Sequence, residues 1–143
     1  MKIQLLNAEQ VLAINQAVCA QEKQTSHCRN QHALESAIGA AYYPGVYPFQ
    51  YGGLASVAGA LCYFLTKAHA FLDGNKRTAG IASAVFLDIN GYELRYALNT
   101  RKGSNAWAEI IEQVAQSAIS METVMKWYET HKKSHHEKLH KKY

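Results

Sequence analysis

Residues 69–77 read HAFLDGNKR and join two stretches with helical periodicity. The stretch before them keeps one face apolar from Leu54 to Ala68, which predicts an amphipathic helix. The stretch after them, from Lys76 to about Ile89, is apolar in nearly every direction and predicts a buried helix at the centre of the fold. The DGN triplet that separates the two stretches is typical of a turn.

The side chains on this turn are suited to phosphate chemistry. The first amide N–H groups of a helix lack internal partners and attract anions. Lys76 and Arg77 oppose the helix dipole in that first turn by about 0.3–1 kcal/mol each, so a negative ligand such as phosphate is expected there. Asp73 supplies an oxygen ligand of the kind that Mg²⁺ takes beside phosphates, and His69 can accept a proton near neutral pH. Together these residues predict a phosphoryl- or nucleotidyl-transfer site.

The rest of the chain is also mostly helical in its periodicity. Asn7 and Gln10 form a capping-box pattern that opens a helix reaching about Ala20. The apolar face of that helix is expected at Val11, Ile14 and Val18. The other expected elements are a short helix over Ala33–Ala40, a loop over 41–53, a short strand within 92–98, and amphipathic helices over 107–118 and 121–128. The pattern predicts a compact all-α domain.

Composition bounds the class of protein. The chain has 143 residues, of which 48% are apolar and 18% charged, as expected of one globular domain and not of a disordered chain. No apolar run approaches the roughly 20 residues of a membrane span, and the first residues show no secretory signal. Three cysteines without a CxxC pair favour reduced thiols. These features predict a cytoplasmic protein.

The positive charge is concentrated at the C-terminal end. Residues 1–130 are formally neutral, whereas residues 131–143 hold five lysines and one glutamate. We therefore divide the chain into a domain over 1–130 and a basic, His/Lys-rich tail over 131–143. A solvated, fraying helical end is the simplest interpretation of this tail. Metal capture by His136 and His140, or a weak contact with RNA, is an alternative that only its composition favours.

The same turn resembles the signature of the Fic/Doc family, HxFx(D/E)GNxRxxR. The matching residues are His69, Phe71, Asp73, Gly74, Asn75 and Arg77. Lys76 stands where AMP-transferring Fic proteins have a second glycine, and Gly80 stands where they have the last arginine. This variant resembles the Doc (death-on-curing) branch, the toxin half of toxin–antitoxin pairs. The likeness extends over roughly residues 5–125 and includes the stretches 33–44 and 59–94.

The resemblance implies a Fic fold and a role for each motif residue. His69 would be the general base that deprotonates a protein hydroxyl, and Asp73 would hold Mg²⁺ on the phosphates of ATP. Phe71 would anchor the loop in the core. The phosphate-binding group would consist of the amides around Gly74 and Asn75, the Asn75 side chain, and the cations Lys76 and Arg77.

The resemblance leaves two reactions open. AMP-transferring Fic enzymes move AMP from ATP to Ser, Thr or Tyr, whereas Doc-type enzymes bind ATP reversed and transfer its γ-phosphate to a translation factor of the Tu class. In AMP-transferring relatives the last arginine grips the γ-phosphate. Gly80 lacks that group, which favours the kinase, with AMP transfer as the alternative. A non-catalytic binder that retains the nucleotide site is a third hypothesis, from a different functional class.

Several further features refine these expectations. No stretch matches the inhibitory motif (S/T)xxxE(G/N), so a separate antitoxin is the expected restraint. Doc-like relatives have Arg-Asp where this chain has Arg29-Asn30, which would change local capping or charge. The tyrosine-rich loop 42–51 would either pack on the helices or dock a target segment. A transition-metal site at His69 and Asp73 is disfavoured because the sequence offers no third ligand at helical spacing.

Overall fold

The computed structural model describes residues 3–42, 53–98 and 103–135. The tyrosine-rich loop falls almost entirely outside these ranges, and only Tyr42 is described. The elements, in chain order, are α1 (Ala8–Gln21), α2 (Gln31–Tyr42), α3 (Leu54–Ala68), α4 (Asn75–Ile89), β1 (Tyr92–Leu94), α5 (Ala106–Ala115), α6 (Met121–His131) and β2 (Lys132–Ser134). The predicted all-α class is confirmed, since the two strands are only three residues each.

Helix α3 forms the centre of the core. It packs against α2, α4, α5 and α6, and ten of its 15 residues are buried. At Gly59 an added Cβ would lie 2.9 Å from the Met125 Cα, so α6 can cross α3 this closely only where the side chain is absent. Neither α3 nor any other helix within the described ranges has the length and hydropathy needed to cross a bilayer.

Helix α4 follows the motif loop and is packed between α1, α3, α5 and β1. It is central, as expected, but only one face of the helix is buried, whereas burial on nearly every side was predicted. Phe86 and Leu87 are fully buried, whereas Ile81 and Val85 are half-buried and Ile89 is 41% exposed. The helix buried on most sides is therefore α3, because it has neighbours in more directions than α4 has.

Helix α1 begins with the predicted capping box. The Gln10 N–H donates to Asn7 Oδ1 at 2.9 Å, and the Asn7 N–H donates to Gln10 Oε1 at 2.8 Å. The predicted apolar face is corrected at one position. Val11 and Val18 are buried together with Cys19, but the remaining buried position is Asn15, and Ile14 is only half-buried. The inward face of this helix therefore carries a polar side chain.

The first residues of the predicted tail belong to the folded body. Strand β2 pairs antiparallel with the predicted strand β1, with Tyr92 opposite Ser134. The His131 ring stacks on Trp127 at a centroid distance of 4.0 Å, and its Nδ1 lies 2.7 Å from the Trp127 carbonyl oxygen. This histidine is therefore packed and does not lie on a fraying helical end. The remaining tail residues, 136–143, lie outside the described residues.

A buried polar network holds α4, α5 and α6 together. The Ser83 hydroxyl donates to the Gly80 carbonyl at 2.7 Å and lies 2.7 Å from the Tyr128 hydroxyl. The Trp107 Nε1–H also donates to the Tyr128 hydroxyl, at 3.0 Å. Burial raises the pKa of Tyr128 well above its ordinary value and raises the pKa of the neighbouring Cys62 to about 11. The network fixes Trp107 against the first half of α4.

Candidate active site

The motif loop begins and ends in left-handed backbone conformations. His69 follows the last turn of α3 with φ +47°, a conformation that is uncommon for residues other than glycine. Gly74 precedes α4 with φ +76°, and an added Cβ there would lie 3.2 Å from Val18 Cγ1. The His69 side chain is exposed, and its ring makes no hydrogen bond to any residue that the structure describes. The imidazole is thus available at the surface.

The loop is closed by the side chain of Asn75. Its Oδ1 accepts from the Phe71 N–H at 3.0 Å, and its Nδ2 donates to the Phe71 carbonyl at 2.8 Å. Phe71 itself is only 3% exposed and attaches the loop to the core. These two bonds fix the orientation of the amide and use one of the two N–H groups of its Nδ2.

A second segment supports the loop from outside. The Arg29 N–H donates to the Ala70 carbonyl at 2.8 Å, and the Leu72 N–H donates to the His27 carbonyl at 2.9 Å. Asn30 Oδ1 accepts from the N–H three residues later, at 2.9 Å, and so caps α2. Asparagine and aspartate are about equally good caps. Asn30, which stands where Doc-like relatives have aspartate, therefore keeps the cap of α2 and removes only the negative charge.

Asn15 connects the loop to α1, a role that the sequence analysis missed. It is fully buried, and its Nδ2 donates to the Asp73 carbonyl at 2.9 Å and to Thr78 Oγ1 at 3.1 Å. Its Oδ1 accepts from the Ser26 hydroxyl at 2.8 Å. A signal was present in the sequence, because this asparagine stands four residues after one buried valine and three before another.

The predicted site residues meet at one cleft of about 640 Å³. Its motif wall is formed by His69, Leu72, Asp73, Gly74, Asn75, Lys76 and Arg77. The facing wall comes from α1 and α5. No side chain caps the N-terminus of α4, and its first turn contains no acidic residue. The cleft therefore combines an uncapped helix N-terminus, two cations, a carboxylate and an imidazole.

Both cations of the motif are paired with carboxylates across the cleft. Lys76 Nζ lies 2.8 Å from Glu112 Oε1, and Arg77 forms an ion pair with Glu22. The hydrogen bond from Lys76 lowers the pKa of Glu112. These side chains are 40–53% exposed, so the pairs are weak and phosphate oxygens can compete for the cations. The sequence contains no signal for the pairing, because the acidic residues are 36 and 55 positions away.

The carboxylate of Asp73 is suited to a metal ion that is shared with phosphates. It lines the cleft, while the carbonyl of the same residue is held by Asn15. Over the described ranges, no group of three His, Cys, Asp or Glu side chains gathers into a metal site. A single protein carboxylate beside substrate phosphates is the usual coordination of Mg²⁺ and differs from a closed transition-metal site.

Gly80, which stands at the position of the last motif arginine, packs against α5. A Cβ added to Gly80 would lie 2.8 Å from Ile111 Cδ1 and 3.2 Å from Trp107 Cζ2. Trp107 is held in place by its bond to Tyr128. A side chain at position 80 would require the end of the Ile111 side chain to shift, and Gly80 itself offers no cation to a γ-phosphate.

Comparison with known proteins agrees with the geometry. The model of the Fic/DOC family matches residues 5–87, which is more than half of the chain. The protein is also 38% identical over 60 residues to a protein named Toxin Doc from Mycolicibacterium smegmatis. That match covers 42% of this chain and 46% of the relative, so it spans less than half the length of either protein. The chain belongs to the Fic/DOC family.

Proposed function

We propose that the protein is a Doc-type phosphotransferase that moves the γ-phosphate of ATP to a hydroxyl group of a host protein. The observation that carries the proposal is the cleft, where an uncapped helix N-terminus, Asp73 and the imidazole of His69 meet. Positioned donors and cations around a transferring phosphoryl group supply most of the catalysis in this class of reaction.

Each group in the cleft has a role in in-line transfer. The exposed imidazole of His69 takes the proton of the target hydroxyl as its oxygen bonds to the γ-phosphorus. The bond from that phosphorus to the β–γ bridging oxygen breaks, and ADP leaves. The amides of the first turn of α4 bind the oxygens of the transferring group. Lys76 and Arg77 offset the negative charge that moves onto the leaving group.

The charge balance of the cleft supports a requirement for a divalent cation. Three carboxylates and two cations line it, so its fixed side-chain charge is −1 with the histidine neutral. A polyphosphate alone would be repelled from such a cleft. Mg²⁺ bound with the nucleotide, and held by Asp73, would neutralise the phosphate charge.

The packing at Gly80 favours γ-phosphate transfer over AMP transfer. AMP transfer, in the relatives that carry it out, uses an arginine at this position to hold the γ-phosphate away from the histidine. Here Gly80 offers no cation, and Ile111 and Trp107 pack against its Cα. With that grip absent, the terminal phosphate is free to take the position beside His69.

The biological role that we propose follows from the family and from the relative named Toxin Doc. The protein would act in the cytoplasm and modify a component of the translation machinery, of the translation factor Tu class. Growth would then stop until a separate antitoxin covers the cleft.

Label transfer into a bacterial lysate tests the reaction. Purified protein with Mg²⁺ is incubated in parallel with α-³²P-ATP and γ-³²P-ATP. We expect a protein band from the γ label only. His69→Ala should reduce labelling by at least about 100-fold, as expected when a general base is removed. His32→Ala is the matched control, because it removes another exposed histidine from α2 and should leave labelling unchanged.

Each other outcome contradicts a defined part of the proposal. A band from the α label would identify an AMP transferase. Labelling that persists in His69→Ala would contradict the role of the histidine. Growth arrest by the protein that survives His69→Ala, with no label transferred, would identify a binder that acts by association.

A further inference from the structure

A second cavity, of about 300 Å³, adjoins the cleft on the side of α5. It shares Arg77, Ala108 and Ile111 with the cleft, so the two spaces are contiguous. Its own walls include Tyr96 and Trp107. We propose that this cavity binds the base of the nucleotide that donates the phosphate. The inference rests on the proposed function and specifies the part of the site that would recognise the nucleoside.

The two aromatic rings give the cavity the character of a base-binding site. The ring centroids of Tyr96 and Trp107 are 5.7 Å apart, with an angle of 47° between the planes. Both side chains are half-buried, so part of each ring remains accessible. The bond from Trp107 to Tyr128 fixes the indole before any ligand binds. Fixed aromatic faces stack on nucleobases with little ordering cost.

The cavity also contains a directional polar group. Asn105 uses its Oδ1 to accept the Ala108 N–H at 2.7 Å, which caps α5 and fixes the side chain. Its Nδ2 has no hydrogen-bond partner among the residues that the structure describes, and the residue lines the cavity. An amide donor held in this way can bond to a ring nitrogen of a purine.

The position of the cavity relative to His69 favours the donor over the target. Gly80 and Ile81, which line it, are about one helical turn beyond Arg77, roughly 5–6 Å along α4. His69 and Asp73 line only the first cleft. A target hydroxyl must reach His69, whereas the base can bind at a distance. A nucleotide with its base in the second cavity therefore presents its terminal phosphate at the N-terminus of α4.

Tryptophan fluorescence tests whether the base reaches the cavity. The chain has two tryptophans, so Trp127→Phe leaves Trp107 as the single reporter. We expect Mg·ATP to quench this reporter and Mg·tripolyphosphate to leave it unchanged. The reverse variant, Trp107→Phe, keeps only Trp127, which does not line the cavity but lies 6.4 Å from Tyr96, so Mg·ATP should quench it less than it quenches Trp107. Equal quenching by the two ligands in the first variant would overturn the proposal.

Affinity measurements separate this inference from the proposed function. Tyr96→Ala should weaken Mg·ATP binding by about tenfold and leave Mg·tripolyphosphate binding unchanged. Tyr63→Ala is the matched control, because that half-buried tyrosine packs on Phe64 and lines neither space.

The remaining outcomes each have one meaning. If the unaltered protein neither binds ATP nor transfers label, the proposed function itself fails. If it does both and Tyr96→Ala binds ATP equally well, the base site is overturned and the function stands. The base site is also overturned if Tyr96→Ala weakens the binding of ATP and of tripolyphosphate equally. If Tyr96→Ala instead lowers target labelling and leaves ATP affinity unchanged, the cavity binds the target and not the base.

Discussion

The helices of this protein begin in two different ways. Helices α1, α5 and α6 are each capped by a side chain, from Asn7, Asn105 and Ser120 respectively. Each also has an acidic residue in its first turn, which the helix dipole favours. Helix α4 begins at Gly74 without a side-chain cap and has Lys76 and Arg77 in its first turn. Helix α3 also begins at a glycine without a cap, but in its first turn the Ser56 N–H donates to Glu129 Oε2 at 2.9 Å. The contrast is therefore between helix starts with a side-chain acceptor and the start of α4, where no side chain caps the amides.

The open end of α4 depends on tertiary contacts for its position. Asn15 holds the residues on both sides of it, through the Asp73 carbonyl and Thr78 Oγ1. The two cations are balanced by Glu22 and Glu112 from other helices. Unpaired N–H donors at a ligand site make the local structure less stable. Contacts from distant parts of the chain must therefore hold the loop in place.

The largest effect is expected from removing that support. Asn15→Leu leaves the Asp73 carbonyl, Thr78 hydroxyl and Ser26 hydroxyl without their buried partner. We expect the free energy of unfolding to fall by about 2–3 kcal/mol, together with a loss of ATP affinity. Urea denaturation and nucleotide titration measure the two. Gln16→Leu, at an exposed neighbouring position, is the control. A loss no greater than in that control would show that Asn15 does not brace the loop.

Removing a local cap should affect stability alone. Asn7→Ala deletes the capping box of α1, and we expect the free energy of unfolding to fall by about 1 kcal/mol. Nucleotide affinity should not change, because this end of α1 does not line the cleft. Urea denaturation and nucleotide titration measure these two quantities. A tenfold loss of ATP affinity would mean that the capped and open helix ends are coupled.

Removing a cation from the open end should affect binding more than stability. In Lys76→Gln, relief from the helix dipole and loss of an exposed ion pair nearly cancel, so stability should change by less than about 0.5 kcal/mol. ATP affinity should fall by about tenfold, since a charge-assisted phosphate contact is lost. Lys67→Gln is the control at the last turn of α3, where a cation is favourable. It should lower stability slightly and leave ATP affinity unchanged.

The smallest expected effect is the pH dependence of the Lys76–Glu112 pair. Because the pKa of Glu112 is lowered in the folded protein, the pair stabilises the fold at pH values above the ordinary glutamate pKa of 4.5. This contribution is lost as the pH falls through the lowered value. Unfolding of Glu112→Gln and the unaltered protein should therefore differ slightly at pH 7 and converge in acid. A difference that grew in acid would contradict the assigned sign.

Local features of the chain were predictable because local rules govern them. The capping box at Asn7 and the helix boundaries at α3 and α4 were found within one or two residues, since both depend on neighbours a few positions apart. The motif residues other than the buried Phe71 line one cleft, because they are close together in the chain. The pairing of β1 with residues 132–134 was missed, since no local pattern records a partner about 40 positions away.

The sequence by itself determined the helical class, the family motif, and the turn that precedes α4, because periodicity and turn formation act over a few residues. Only the tertiary structure decided how the start of α4 is held and what surrounds it. Asn15 reaches it from 58 positions away, Glu22 and Glu112 balance its cations, and the α5 residue Trp107 packs beside Gly80. These contacts form when separate helices pack around α3, and that packing depends on the shapes of all the helices together.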